Sequence, residues 1–294
     1  KQKTAYEIMP SLVGSEMCIR DRIKTMNNMN PLKIMYLSPV AVDSLDGLFK
    51  DMVEDTKDPG TEVHITSLKD NNGSFSHVEF RSYEAMATSG IINATVCAAK
   101  EGFDALAIGC FYDTALHDSR ELSDNMVVVA PCHSSIEIAL SLANNFGIIV
   151  GRRKWVNQMK GNVHEYGYGD KLVGFYDVGL GVDDFQVDHQ RTVNLLIDAA
   201  KKAVERDYAE SIILGCTAEF GFYKTLQEEI GVPVIDPSLA ALKKAEHAAN
   251  LKRKFNLIPS RKWSCEPPSK KEIEKFNMFA DNDPFGNRII IEAE

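Results

Sequence analysis

The chain has 294 residues, of which 44% are hydrophobic and 26% charged, with 19 glycines and 11 prolines. That is an ordinary globular mixture, and it excludes collagen, low-complexity disorder and a membrane-embedded protein. With 33 Lys and Arg against 42 Asp and Glu, the formal net charge is -9 and nucleic acid is not an expected partner.

The longest apolar runs, such as Met126 to Ala130 and Phe146 to Val150, fall far short of the roughly 20 residues that cross a bilayer, so no membrane partner is expected either. Six cysteines, Cys18, Cys97, Cys110, Cys132, Cys216 and Cys265, are spread thinly along the chain. This is unlike the dense framework of a small secreted domain and fits a cytoplasmic, reduced protein.

Pro10 to Arg22 (PSLVGSEMCIRDR) has neither helical nor strand periodicity and lacks the apolar core of a signal peptide. It reads like a translated sequencing adapter. Residues 1–31 are therefore expected to be a non-native or disordered extension, with the natural start at Met26 or Met29.

From Leu32 the pattern becomes regular. Lys33 to Leu37 and Glu62 to Ser67 read as strands, with a helix over Ala41 to Asp55 between them. Ser82 to Lys100 reads as a helix and Ala105 to Gly109 as a buried strand. Strands that alternate with helices imply a parallel sheet.

Two segments ending in Gly-Cys can then be superposed at an offset of 106 residues: DALAIGC (Asp104 to Cys110) and ESIILGC (Glu210 to Cys216). Each leads into a second apolar strand, Val127 to Ala130 or Val232 to Asp236, and then to a proline 21 positions after its cysteine, Pro131 or Pro237. A helix follows in both copies, over Ser134 to Asn145 and Ser238 to Asn250. The expected fold is α/β, with two pseudo-symmetric lobes, each a mainly parallel sheet flanked by helices, and the active site in the cleft between them. Lobe 1 is expected to comprise residues 32–133 plus 237–294, and lobe 2 residues 134–236.

Loops at the carboxyl ends of parallel strands converge on the ligand crevice, and both cysteines sit there. Each is expected to precede a helix, whose N-terminus lowers a thiol pKa. Two facing thiols, one ionised, can take a proton from one face of a carbon and return one to the other, which inverts a stereocentre. The competing reading is packing, because free cysteine is among the most buried residue types; their equivalence under the repeat favours chemistry. No metal site has ligand spacing, no phosphate loop occurs, and no cofactor is assigned; Gly179-Leu180-Gly181 reads as a turn.

Phe103 to Glu121 (FDALAIGCFYDTALHDSRE) and Ser211 to Pro237 (SIILGCTAEFGFYKTLQEEIGVPVIDP) resemble the two cysteine motifs of the aspartate/glutamate/hydantoin racemase superfamily, closest to its hydantoin and allantoin branch. The resemblance implies cofactor-independent racemisation of a small-molecule substrate by Cys110 and Cys216, and a homo-oligomer. Ser38, Asp113 and Thr217 become the expected substrate contacts.

The chain departs from the family at Ser38-Pro39-Val40, at Tyr112 and at Thr217-Ala218-Glu219, which predicts a bulkier and more polar pocket. Arg152, Arg153 and Lys154 are candidates for a substrate carboxylate, and His117 and His133 for assisting proton transfer. A decarboxylase or cis-trans isomerase of the same superfamily, and a non-catalytic small-molecule-binding protein, are the alternatives. For Phe276 to Glu294 the sequence leaves open packing on a lobe, a subunit contact or a loose tail.

Overall fold

The run LKIMYLS carries four consecutive large apolar residues, Ile34 to Leu37, and a strand can bury all four only if both faces of its sheet are covered. That is what the computed structural model shows for β1 (Leu32–Ser38): Met35 and Leu37 enter one hydrophobic cluster, while Ile34 and Tyr36 enter another on the opposite face. The structure describes residues 30–40, 46–69, 76–279 and 283–294, and Leu32–Glu294 form one compact unit. The expectations for Cys18 and residues 1–29 lie outside the described residues, as do positions 41–45 of the expected first helix.

β1 pairs in parallel with β2 (Thr61–Leu68) and β3 (Ala105–Ile108), and β3 pairs in parallel with β4 (Val127–Val129). Between β1 and β2 lies α1 (Asp46–Thr56), and α2 (Arg81–Lys100) packs on β2 and β3 through Ala87, Ile91, Ala94 and Ala98. The short α3 (Leu116–Leu122) leads into β4, and α4 (Pro131–Leu142) follows it.

The second sheet has order β6-β5-β7-β8 and is parallel throughout. It consists of β5 (Phe146–Val150), β6 (Leu172–Asp177), β7 (Ile212–Leu214) and β8 (Val234–Ile235). α5 (Val156–Glu165), α6 (His189–Lys201) and α7 (Tyr223–Ile230) belong to this half, and α8 (Pro237–Phe255) returns to lie on β1, β3 and β4.

Both post-proline helices begin at the proline itself, three residues and one residue earlier than the sequence pattern suggested. A first-turn proline forfeits only an N–H that has no intrahelical partner. After α9 (Lys270–Lys275), the tail forms β9 (Phe285–Ile291), antiparallel to β2, so the first sheet has order β4-β3-β1-β2-β9. One hydrophobic cluster runs from Leu106 and Ile108 of the first sheet to Ile148, Val150 and Ile213 of the second.

Candidate active site

The two Gly-Cys pairs have a common backbone cause. The Gly109 N–H donates to the Leu37 carbonyl at 2.7 Å, and the Gly215 N–H donates to the Ile149 carbonyl at 2.7 Å. In each sheet the chain leaving the strand is drawn against its neighbour. A Cβ at Gly109 would sit 2.7 Å from the Tyr36 ring, and one at Gly215 would sit 2.5 Å from the Ile149 carbonyl oxygen. Only glycine fits such an approach, and it delivers the next residue, a cysteine, to the carboxyl end of the sheet.

Cys110 and Cys216 are both free and buried, and both line one cavity of about 480 Å³. Its walls come from both sheets and are largely apolar: Tyr36, Phe49, Phe111, Tyr112, Trp155 and Phe220 contribute rings. Ser38, Ser67, His77, Glu79, Gln186, Thr217 and Ser238 add polar atoms. The Thr217 hydroxyl donates to the Gly109 carbonyl at 3.1 Å, tying the loop after one cysteine to the residue before the other.

Neither thiol lies directly before a regular α-helix. Five residues separate Cys110 from α3, and Cys216 is followed by a single 3-10 turn, Thr217–Glu219. The lowered thiol pKa expected from a helix N-terminus is therefore corrected. Burial pushes Cys110 up to about 12, and burial carries Cys216 well above the ordinary thiol range. Acting against it, the Tyr112 amide at Cys110 and the Ala218 amide at Cys216 favour the thiolate.

Of the expected substrate contacts, Ser38 and Thr217 line the cavity, with the Ser38 hydroxyl donating to the Val40 carbonyl at 3.1 Å. Asp113 does not line it. Its carboxylate accepts the Cys132 N–H at 2.8 Å, the His133 N–H at 2.9 Å and the Tyr166 hydroxyl at 2.9 Å, so it caps the start of α4. Burial nevertheless raises its carboxyl pKa to about 6.

None of the basic triplet lines the cavity: Arg152 pairs with the cavity-lining Glu79 at 2.7 Å, Arg153 with Asp177 at 3.6 Å, and Lys154 lies over the Phe80 ring. His117 is exposed beside Glu165, and His133 pairs with Glu137 outside the cavity. The more polar wall expected from Glu219 is absent, because that side chain is fully buried away from the cavity.

Glu79, His77 and Trp155 were not singled out in the sequence. Glu79 is almost wholly buried, and besides Arg152 it accepts the Val182 N–H at 3.0 Å, joining the segment after β2 to the segment after β6. Among the described residues, no group of three His, Cys, Asp or Glu side chains is disposed to hold a metal ion. Nor is any helix long and apolar enough to cross a membrane.

A sequence profile for Asp/Glu/hydantoin racemase matches residues 40–245, a span that contains both cysteine loops. The chain belongs to the Asp/Glu/hydantoin racemase family. It is 33% identical over 212 residues to a hydantoin racemase of Pseudomonas sp. (strain NS671), covering 72% of this chain and 83% of that protein. It is 31% identical over 242 residues to a hydantoin racemase of Paenarthrobacter aurescens, covering 82% of this chain and 99% of the other. Among solved structures, the allantoin racemase from Klebsiella pneumoniae superposes with a TM-score of 0.74 at 22% identity, over 81% of this chain and 94% of that one. This racemase-family enzyme thus shares the fold of that structure.

Proposed function

We propose that this chain racemises a small carbonyl-activated carbon acid of the hydantoin class by a cofactor-independent two-base mechanism, with Cys110 and Cys216 as the acid/base pair. The observation that carries this reading is that both cysteines, one from each sheet, line a single cavity whose two loops are tied by Thr217 and Gly109. The relatives named hydantoin racemases support the substrate class.

In the forward direction one sulfur, as thiolate, takes the proton from the stereogenic carbon. The C–H electron pair passes into the adjacent carbonyl as an enolate. The other sulfur, as thiol, then gives its proton to the opposite face, and the first thiolate has become a thiol. Burial makes either thiolate scarce at neutral pH but also a stronger base, which narrows the gap to a weakly acidic carbon. The apolar rings around the cavity keep water from the carbanion, and Ser38 and Thr217 offer oxygens to the polar edge of the ring.

The test is to incubate single enantiomers of 5-substituted hydantoins in D₂O and follow both deuterium uptake and chirality. Exchange accompanied by inversion, lost in both Cys110→Ser and Cys216→Ser, is the expected result. Exchange without inversion moves the assignment to one-cysteine chemistry such as decarboxylation. Binding without exchange moves it to a ligand-binding protein.

A further inference from the structure

The serines and threonines on the cavity wall carry hydroxyls, which turn to donate or accept as a ligand requires. Gln186 is different. It follows the 3-10 turn Val182–Asp184 and precedes α6, and its side-chain nitrogen donates to the Ala218 carbonyl at 2.9 Å and to the Phe220 carbonyl at 3.3 Å. Both carbonyls belong to the loop that carries Cys216, so the amide cannot turn over without setting its oxygen against two others. The segment beneath is held as well, because Phe185 is fully buried and its carbonyl accepts the Thr192 hydroxyl at 2.9 Å.

With both amide protons committed to the Cys216 loop, Oε1 of Gln186 is left. Gln186 lines the cavity, and among the described residues this oxygen has no protein donor and is not enclosed. An amide carbonyl has only lone pairs to offer, so it accepts an N–H and repels another oxygen. The buried carboxylate on the same wall, Glu79, already holds Arg152 and the Val182 N–H.

We propose that Gln186 is a specificity-determining residue whose Oε1 accepts the N–H beside the stereogenic carbon of the substrate ring. It selects a cyclic ureide over a ring that carries CH2 or oxygen at that position. The choice of N–H follows from the anchor. Gln186 is fastened to the loop of Cys216, one of the two sulfurs that must meet the stereogenic carbon, and the nitrogen bonded to that carbon brings the nearest donor. The carbonyl on the other flank of the carbon takes up the enolate charge and needs donors, which Oε1 is not.

This inference rests on the hydantoin-class reading above, and binding tests it without turnover. Isothermal titration calorimetry of the full-length protein near neutral pH compares 5-benzylhydantoin with 3-benzylpyrrolidine-2,5-dione, in which CH2 replaces that N–H and the imide is kept. The parent should bind the hydantoin about tenfold more tightly, the scale of one buried hydrogen bond together with an acceptor left unpaired. In Gln186→Met, which keeps the length and loses both polar atoms, the ratio should fall to within about threefold.

Gln186→Met also releases the Cys216 loop, but a displaced loop weakens both ligands alike and leaves their ratio as in the parent. That outcome overturns the proposal. So does a parent that binds the two ligands equally, or binds neither. If Gln186→Met does not fold, Gln186→Leu takes its place in the same comparison. Racemisation assays on the same proteins separate the two readings: a hydantoin that is racemised while the ratio is unchanged in the variant removes only the role of Gln186. A ratio that collapses in the variant without any racemisation by the parent keeps that role and removes the two-base reading.

Discussion

Asp113 and Glu219 stand at matched positions, each three residues after a cavity cysteine, yet only Asp113 caps the helix that follows its loop. In the second copy that task has moved to Asp236, which accepts the Ser238 N–H at 2.9 Å and the Leu239 N–H at 3.3 Å at the start of α8. Glu219 is left fully buried with no hydrogen-bond partner for either carboxyl oxygen. The Gly215 and Cys216 amides lie near enough to favour its charge, but neither closes a well-formed hydrogen bond.

A carboxyl raised in this way is stabilising while protonated, and that stability is lost as pH climbs through its folded value. Glu219→Gln, which cannot ionise, should therefore raise the thermal midpoint relative to the parent at alkaline pH and change it little at about pH 5. Calorimetry at the two pH values checks this. A difference between the two proteins that does not grow with pH would contradict it.

Replacing Asp113 should act chiefly on stability, because its carboxylate caps α4 and does not line the cavity. Asp113→Ala leaves two first-turn amides of α4 and the Tyr166 hydroxyl without their acceptor, a loss of about 2 to 4 kcal/mol. Urea unfolding should show the lower midpoint. An Asp113→Ala protein of parental stability with a collapsed kcat would instead make Asp113 part of the chemistry.

At Gly215 a methyl group has nowhere to go, because it would meet the Ile149 carbonyl oxygen at 2.5 Å and the Val150 side chain at 2.8 Å. Gly215→Ala should displace the Cys216 loop and lower kcat/KM by at least about tenfold, the scale expected for a misplaced catalytic group. Gly161, which has open space around its Cβ position, is the control. Equal activity in Gly215→Ala and Gly161→Ala would refute the packing argument.

Thr217→Val keeps shape and removes the hydrogen bond to Gly109. Losing one part-buried bond costs about 1 kcal/mol of stability, but it also frees the two cysteine loops from one another. The expected signature is a fall in kcat with Thr217→Ser close to the parent. If valine and serine behave alike, the tie between the loops has no catalytic role.

The repeat was legible in the sequence because backbone constraints write themselves as residue types. Gly109 and Gly215 are required by close approach, Pro131 and Pro237 sit at first helical turns, and the apolar runs of β1, β3 and β5 mark strands buried on both faces. The environment of the thiols was not legible. Burial of Cys110 depends on side chains from distant elements, and Glu84 reaches it from α2 through Thr114. Glu79 was hidden for the same reason: its partners Arg152 and Val182 are remote in sequence. The strands β6 and β9 alternate too weakly with burial to announce themselves, as their mixed exposure shows.

The C-terminal strand β9 has a consequence for synthesis on the ribosome. It covers the outer edge of β2, and α8 covers the face carrying Tyr36 and Ala107, so the first sheet is completed by segments made after the whole of the second sheet. The second sheet is contained entirely within residues 146–235 and has emerged before that happens. During elongation β2 is therefore an unpaired edge beside an uncovered apolar face, the kind of surface that invites pairing with another nascent chain. The half of the molecule that is translated first is the half that must wait longest to close.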